Sequence, residues 1–399
     1  MSGMASGIGH AIHLAVRHLR HHAGRSVLIV LALSLVGFLP IAVDGVVDAG
    51  GRALRARAAD TPLVAGAEGA PIDLVLAALY FRKPPDRTMT LGSLEALATG
   101  ELATAIPIVM GDRVKKSPLV GVDPAYRDFR GLRVGDGRWF AVAGECVLGA
   151  EVARRWGISV DDRIITEPRE MFDLAGAYPL RMRVVGVLEP SGSADDGVVF
   201  VSPATAWIVQ GLAHGHDKVD EEADPELVMG RTDDVVIVSP KVREFVEITD
   251  ENRASFHFHG KREDRPVTAA ILVPHDERSE TILMGRADAG LLPVQLVRAS
   301  EVVDRLLVEV FRIRRILMSV LGVVAVATLL LVVVVLALSI RIRAVEIETM
   351  HLIGASRLRV GLILGSEVVI LIGISVAVAA IGGIVLTGAI PMVENLLIG

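Results

Sequence analysis

Four histidines stand in two closely spaced pairs in the second half of the chain. His214 and His216 alternate within GLAHGHDKVDEEADPE, and His257 and His259 alternate within SFHFHG. On a β-strand, residues two apart project from the same face, so each pair would present two imidazoles to one side. Nearby carboxylates offer oxygen ligands: Asp217, Glu221 and Glu222. Imidazoles with carboxylates suit zinc or a similar divalent ion. Nothing in the sequence shows that the two pairs meet. The hypothesis is a metal site formed by all four histidines, and the alternative is four ordinary solvated or packed histidines.

No arrangement of residues in the sequence indicates a catalytic site. Ser191 and Ser193 lie in PSGSADD, which lacks the G-x-S-x-G elbow and is typical of a turn. Asp195 and Asp196 are adjacent, so on a strand they would point to opposite faces. No G-x-x-x-x-G-K-[ST] occurs, so the chain does not bind ATP through a P-loop. We predict no catalytic residue and, apart from zinc, no cofactor in this chain.

The composition indicates a membrane protein with a large water-exposed part. Hydrophobic residues make up 52% of the 399 residues and the mean hydropathy is +0.52, yet 22% of the residues are charged. A net charge of −6 gives no basis for binding nucleic acid. Cys146 is the only cysteine, so no intramolecular disulfide can form, and the redox compartment stays open.

Three apolar stretches are long enough to cross a bilayer. With their flanks they occupy residues 26–46, 313–340 and 360–390. The first contains Pro40, which predicts a kink. We predict an uncleaved anchor there, because its apolar run is long for a signal peptide and VDAGGRA is a poor cleavage site.

The charge distribution predicts the orientation of these spans. Residues 1–25 contain arginines and histidines but no acid, which fits an amphipathic helix on the cytosolic membrane face. Basic residues before the first span, and Asp44 and Asp48 after it, put the N-terminus in the cytosol. The block 47–312 then lies outside, and its short alternating runs predict α+β structure. The expected fold class is an α-helical membrane protein with one N-terminal span, two C-terminal spans and a large α+β extracytoplasmic domain.

Within residues 119–207, glycine-containing motifs follow one another as strand, turn and helix units. They are GR-x-F, VLG-x-x-x-A, VVGVL and an Asp before VFV, formed by Gly137, Arg138, Phe140, Val147, Leu148, Gly149, Ala153, residues 184–188, Asp196, Val199, Phe200 and Val201. This series resembles the periplasmic core domain of the MacB/FtsX-type (type VII) ABC transporter permeases. One departure is Asp161, which stands where the family has a glycine in the turn before the third motif.

A charged segment, residues 341–359, separates the last two spans. It carries a motif formed by Arg343, Glu346, Ile347, Ile353, Gly354 and Ala355, and Glu367 follows early in the next span. This resembles the R-x-x-EIG-x-x-x-x-LGA helix of the same family, with Glu348 where Gly is usual. The resemblance implies a coupling helix that docks on a separate ATPase.

The exposed face of such a helix would offer Ile347, Met350 and His351 to a groove of the ATPase. The alternative is an ordinary positive-inside loop. In the last span, Gly361 and Gly365 form a GxxxG pair that suits packing against a second permease chain, although glycine is common in membrane helices. Glu367 would either snorkel to the cytosolic surface or pair with an arginine or a neighbouring chain.

The resemblance implies an integral protein of the bacterial inner membrane with a cytoplasmic N-terminus. Residues 47–312 would be the periplasmic core domain, with a histidine-containing insert at about 204–290, and residues 313–399 an FtsX-like permease domain with a tail at 391–399. The implied partners are an ABC ATPase that binds the ATP, a second permease chain in a homo- or heterodimer, a periplasmic adaptor or substrate-binding protein, and the lipid bilayer.

Three functions follow as expectations from the resemblance. The first is export or extraction of a substrate by mechanotransmission, in which ATP-driven closure of the ATPase moves the spans and the periplasmic domain. The second is zinc- or divalent-metal-linked transport through the histidines, and the third is regulation of a periplasmic cell-wall hydrolase. The family usually has four spans, so three predicted spans indicate a three-span or truncated version.

Overall fold

The computed structural model describes residues 2–98, 102–167, 179–215, 228–232, 235–238, 246–352 and 356–398. The chain forms two compact units. The membrane unit comprises Met1–Ala53 and Leu307–Met392, and the α+β unit comprises Leu54–Leu306 with Val393–Gly399.

Helices account for nearly all of the membrane unit and for several connections in the α+β unit. Their bounds are α1 Ser2–His21, α2 Ala23–Ala59, α3 Pro71–Tyr80, α4 Leu91–Ala98, α5 Pro124–Arg130, α6 Ala150–Trp156, α7 Pro203–Val209, α8 Glu277–Asp288, α9 Ala299–Ile342, α10 Ala344–Leu352 and α11 Arg357–Ile398. The boundaries between the two units fall inside α2 and α9.

The strands lie between α2 and α9 in the sequence. Their bounds are β1 Leu63–Gly66, β2 Met89–Thr90, β3 Ala103–Val114, β4 Ser117–Val122, β5 Val134–Gly137, β6 Glu145–Leu148, β7 Arg163–Ile165, β8 Leu180–Leu188, β9 Val199–Val201, β10 Ala213–Gly215, β11 Val228–Thr232, β12 Val235–Val238, β13 Val246–Glu247, β14 Phe256–Phe258, β15 Pro266–Val267, β16 Ala269–Pro274 and β17 Gln295–Arg298.

One large mixed sheet organises the α+β unit. Its strands lie side by side in the order β13-β8-β6-β9-β4-β3-β16-β1-β17, and β5 and β7 also pair with β8. β6 runs parallel to β8, and β4 runs parallel to β9, whereas β3, β16, β1 and β17 form an antiparallel series. The early strand β1 lies between two late ones, since Leu63 is opposite both Leu272 and Arg298. The unit is therefore closed by contacts between the two ends of its sequence.

The histidine-containing insert, about 204–290, stays a prediction, and its range includes one strand of the large sheet. β16 falls in that range but pairs with β3 on one side and β1 on the other, so it is an interior strand of the large sheet. Its residues 269–272 are fully buried. A continuous apolar run such as AAILVP is typical of a strand covered on both faces, and this was the signal for a core strand.

Three helices among the described residues, α2, α9 and α11, are long and apolar enough to cross a membrane. Together with the α+β unit they confirm the predicted fold class. Leu19, Ile29, Val332 and Leu371 form a buried cluster that joins α1 to the three spans. Where α2 meets α11, the Ser34 hydroxyl donates to the Ser375 carbonyl at 3.2 Å, the kind of polar contact that links helices in lipid.

Two glycines of the sequence motifs occupy positions that no other residue fits without rearrangement. Gly137 has φ +76°, and a Cβ there would overlap the carbonyl oxygen of Val185. A Cβ at Gly149 would overlap the carbonyl oxygens of Asp195 and Asp196. These close approaches hold β5 against β8 and the start of α6 against the 3₁₀ turn at Ala194–Gly197. The motifs thus mark contacts between elements of the sheet and its covering turn.

Candidate functional site

The charged segment between the last two spans folds as a short separate helix. α9 ends at Ile342, α10 runs from Ala344 to Leu352, and α11 begins at Arg357. Arg343 lies at the break, where its amide donates to the Ile340 carbonyl and its carbonyl accepts from the Ile347 amide. Gly354 and Ala355, which were predicted to belong to the same site, lie outside the described residues.

The side chains predicted to form the docking face of α10 differ from one another in burial. Ile347 and Met350 are half-buried and line a cavity within the membrane unit, whereas His351 is exposed. Residues three apart lie on one face of a helix, so Ile347 and Met350 turn inward together. Val345 and Leu352, seven apart, are instead 74% and 83% exposed. Val345 and Leu352 are therefore more exposed than Ile347 and Met350, and the docking face stays a prediction.

A buried ion pair joins Arg343, at the break between α9 and α10, to the last span. Nη1 of Arg343 donates to both carboxylate oxygens of Glu367, at 3.2 and 3.3 Å. The two side chains are only 11% and 7% exposed. Glu367 thus pairs with an arginine of its own chain. A buried carboxylate with such a partner holds that partner in position, because either charge left alone in this environment is costly.

The N-terminal helix α1 adds a histidine to this pair. Nδ1 of His18 lies 3.3 Å from Oε1 of Glu367, without the geometry of a hydrogen bond. Burial, followed by the charge of Arg343, lowers the pKa of His18 to about 4. His18 is therefore neutral at pH 7, and its contact with Glu367 is not a salt bridge at that pH.

A cavity of about 320 Å³ lies between α1, α10 and α11, beside this cluster. Its walls are mainly apolar and include Leu14, Met350, Ile363 and Leu364. The sequence motifs gave no sign of it, because it depends on how the amphipathic helix at the N-terminus packs against two helices that follow more than 300 residues later.

Some glycines of the last span have free space beside them, and others pack against α2. A Cβ placed at Gly361 or Gly365 would meet no described atom within 4 Å. By contrast, a Cβ at Gly382 would lie 3.0 Å from the Phe38 ring on α2. Packing within the described chain therefore uses Gly382, and the predicted GxxxG face at Gly361 and Gly365 is left open.

The two histidine pairs come partly together. β10 and β14 pair antiparallel, and the register places His214 opposite His257. The rings of His257 and His259 are exposed, with centroids 5.0 Å apart. His216 lies outside the described residues, and within those residues no group of three or more His, Cys, Asp or Glu could hold a metal ion. The zinc site stays a prediction.

A buried cluster in the α+β unit was missed from the sequence. Near the end of α2, Arg57 binds Asp195 through two hydrogen bonds, of 2.7 and 3.0 Å, and their side chains are 10% and 2% exposed. The Tyr126 hydroxyl donates to the same carboxylate at 2.7 Å, and Nε of Arg57 donates to the Leu79 carbonyl. The end of α2 is thereby fixed to three separate elements of this unit.

The pKa values of this cluster follow from its burial and its charges. Burial alone would raise the pKa of Asp195, but the charge of Arg57 and the hydrogen bonds from Arg57, Tyr126 and Ser193 bring it below its usual range. Burial lowers the pKa of Arg57, and the charge of Asp195 more than reverses this, so the guanidinium stays protonated. The pair is therefore ionised at neutral pH.

The model of the MacB-like periplasmic core domain matches residues 26–244. No match was found among curated proteins. Similar solved structures include the periplasmic region of MacB from Actinobacillus actinomycetemcomitans, 11% identical, covering 63% of this chain and 95% of that one with a TM-score of 0.36. The extracellular domain of the noncanonic ABC-type transporter YknZ from Gram-positive bacteria is 10% identical, covering 59% and 99% with a TM-score of 0.32.

Proposed function

This chain belongs to the family of ABC transporter permeases with a MacB-like periplasmic core domain, and we propose that it couples ATP hydrolysis by a separate ATPase to movement of its periplasmic domain. In this proposal the movement exports or extracts a substrate and needs no substrate pathway through the spans. The observation that carries the proposal is α10, a short helix between two spans whose apolar side chains Val345 and Leu352 are exposed.

An exposed apolar helix face of this kind suits docking into a groove of another protein. The Arg343–Glu367 pair supports the next step, because it ties the start of α10 to α11. A push on α10 would therefore move α11 with it.

Two continuous helices support transmission beyond the membrane. α9 has 44 residues, about 66 Å at 1.5 Å per residue, and ends one residue before Arg343. Its first residues belong to the α+β unit, and so do the last residues of α2, where Arg57 binds Asp195. Displacement of either helix therefore displaces residues of both units.

The docking face can be tested by photo-crosslinking. We expect a benzoylphenylalanine at Val345 or Leu352 to crosslink the full-length chain, in its native membranes, to a P-loop ATPase identified by mass spectrometry. The same group at Ile347 is the matched control, because this half-buried side chain lines the cavity within the chain. Its crosslinks should be intramolecular. Equal ATPase crosslinking from all three positions, or none from Val345 and Leu352, would contradict docking through this face.

The proposed orientation has the N-terminus and α10 in the cytoplasm of the bacterial inner membrane and the α+β unit in the periplasm. The arginines before the first span and the acids after it support this. The exposed glycine pair Gly361 and Gly365 supports a second permease chain, in a homo- or heterodimer, as a further partner.

Cysteine labelling tests this orientation with little background. Cys146 is fully buried, and burial raises the pKa of its thiol, so we expect no reaction with a maleimide until the protein is unfolded. In intact spheroplasts, a membrane-impermeant maleimide should label Lys261→Cys, an exposed position in the α+β unit. Ser2→Cys should react only after the membrane is permeabilised. The reverse pattern would invert the topology.

A further inference from the structure

The cavity between α1, α10 and α11 carries an imbalance of charge. Two arginines line it, Arg17 and Arg343, with the imidazoles of His18 and His21 beside them, whereas Glu367 is the one carboxylate among the described lining residues. That carboxylate is already occupied by Nη1 of Arg343. The other described residues that line the cavity are apolar, so this part of its wall offers no second anion.

The arginine inside the cavity has a donor left over. Nη2 of Arg343 is buried and has no hydrogen-bond partner among the described residues. A buried polar group is normally paired, because leaving a charged donor unsatisfied costs more than an ordinary hydrogen bond gains. Arg17 and His21 stand at the exposed rim of the same cavity. The site therefore has one interior donor and a cationic entrance, which is complementary to an anion.

The size of the cavity and its apolar walls indicate that the ligand has an apolar part as well as an anionic group. Its volume of about 320 Å³ falls within the range of about 300–1,000 Å³ that is usual for ligand sites. Leu14, Ile363 and Leu364 provide a surface for a hydrocarbon chain. A small hydrophilic anion would satisfy the arginine but would leave these walls in contact with water.

We propose that this cavity binds one anionic phospholipid, with its phosphate against Nη2 of Arg343 and the upper part of an acyl chain along Leu14 and Leu364. Arg17 and His21 at the rim attract the headgroup. The bound lipid contacts α1, α10 and α11 at once, and it thereby holds α10 in the position from which it docks. This last consequence rests on the proposed function, whereas lipid binding itself does not.

Binding can be measured on the full-length chain in nanodiscs of phosphatidylcholine that contain a small fraction of phosphatidylglycerol. A tryptophan at Leu14 reports on the cavity, because the native tryptophans all lie in the α+β unit. We expect phosphatidylglycerol brominated on its acyl chains to quench this tryptophan at a concentration at least tenfold lower than brominated phosphatidylcholine does. Native mass spectrometry should detect one retained phosphatidylglycerol per chain.

Three variants distinguish lipid binding in the cavity from attraction to the positive charge of the protein surface. Arg343→Lys keeps the charge that faces Glu367 but lacks the second guanidinium donor, and Leu364→Phe fills space without changing any charge. Both should weaken phosphatidylglycerol binding about tenfold. Arg341→Gln is the matched control, because Arg341 is exposed and does not line the cavity; it should bind normally.

Equal quenching by the two lipids, or an equal loss in Arg341→Gln and Arg343→Lys, would overturn the lipid site in favour of nonspecific surface attraction. Retention of lipid in Leu364→Phe would overturn the position of the acyl chain. Failure of the proposed function has a different signature, namely normal phosphatidylglycerol binding with no crosslink from Val345 to an ATPase.

Discussion

Replacing Asp195 with asparagine is expected to lower the free energy of unfolding of the α+β unit by about 3–5 kcal/mol, the usual effect of removing one partner of a buried ion pair. Arg57 would keep its charge in a site that is almost closed to water, where the Leu79 carbonyl, the Tyr126 hydroxyl and the introduced amide are neutral and supply no counter-charge. For a domain of this size the loss corresponds to a fall in Tm of about 6–20 °C. The change can be followed on the full-length chain in detergent by the exposure of the Cys146 thiol.

Asp304→Asn provides a matched control for this substitution. Asp304 pairs with Arg55, two residues before Arg57 on the same helix, at a comparable distance of 3.0 Å. That pair is exposed, with side chains 50% and 62% accessible, so its loss should cost no more than about 1 kcal/mol. Equal destabilisation by the two substitutions would mean that burial does not determine the strength of the Arg57–Asp195 contact.

The same pair contributes to the acid sensitivity of the unit. Because the folded-state pKa of Asp195 lies below its unfolded value, its contribution to stability is fully present above about pH 4, the unfolded pKa. It is lost as the pH falls through the lower folded pKa. The Asp195→Asn variant lacks this contribution, so the difference in stability between the two proteins should shrink in that acidic range.

Replacing Glu367 with glutamine is expected to reduce stimulation of the ATPase by the permease at least tenfold. Without the carboxylate, Arg343 loses the counter-ion that it has among the described residues, at a cost of about 3–5 kcal/mol, and α10 is displaced to relieve it. That cost exceeds the roughly 1.4 kcal/mol that corresponds to a tenfold change in an equilibrium. The measurement is ATP hydrolysis by the ATPase subunit that copurifies with the chain, reconstituted with each permease variant.

Charge exchange distinguishes positioning from simple unfolding. The double variant Arg343→Glu with Glu367→Arg restores an opposite-charge pair, so we expect it to recover a large part of the stimulation that Glu367→Gln loses. Arg359→Gln removes an exposed charge near the start of α11, the helix that carries Glu367, and should leave ATPase stimulation unchanged. Wild-type stimulation in Glu367→Gln would remove the ion pair from the coupling mechanism.

The spans and the motif-bearing strands could be predicted because their causes are local. Long runs without charge require helices in lipid, whatever the rest of the chain does. Gly137 and Gly149 stand at close backbone approaches, so they leave a mark in the sequence itself. The short helix at Ala344–Leu352 was likewise expected from its own residues.

The features that could not be predicted depend on long-range packing. Arg55 and Arg57 are two residues apart in one arginine-rich helix, and nothing in the sequence indicates that only Arg57 meets Asp195, 138 residues later. Nor could the sequence tell which face of α10 is turned inward, because Ile347 and Val345 are both apolar and the choice depends on α1 and α11. β16 follows His257 and His259 closely in the sequence and was therefore assigned to the insert. Its position in the sheet depends on pairing with β1, about 200 residues earlier.

The way both units are closed has a consequence for biosynthesis. The buried cluster of the membrane unit needs Leu371 from α11 as well as Ile29 from α2, about 340 residues earlier. Because synthesis proceeds at about 5–20 residues per second, α11 is completed on the order of tens of seconds after the first span. In the other unit, β1 likewise waits for β16 and β17. Neither unit can complete its folding on the ribosome before nearly all of its own sequence has been made, so each newly made chain passes through a long interval in which α2 and β1 lack these late partners.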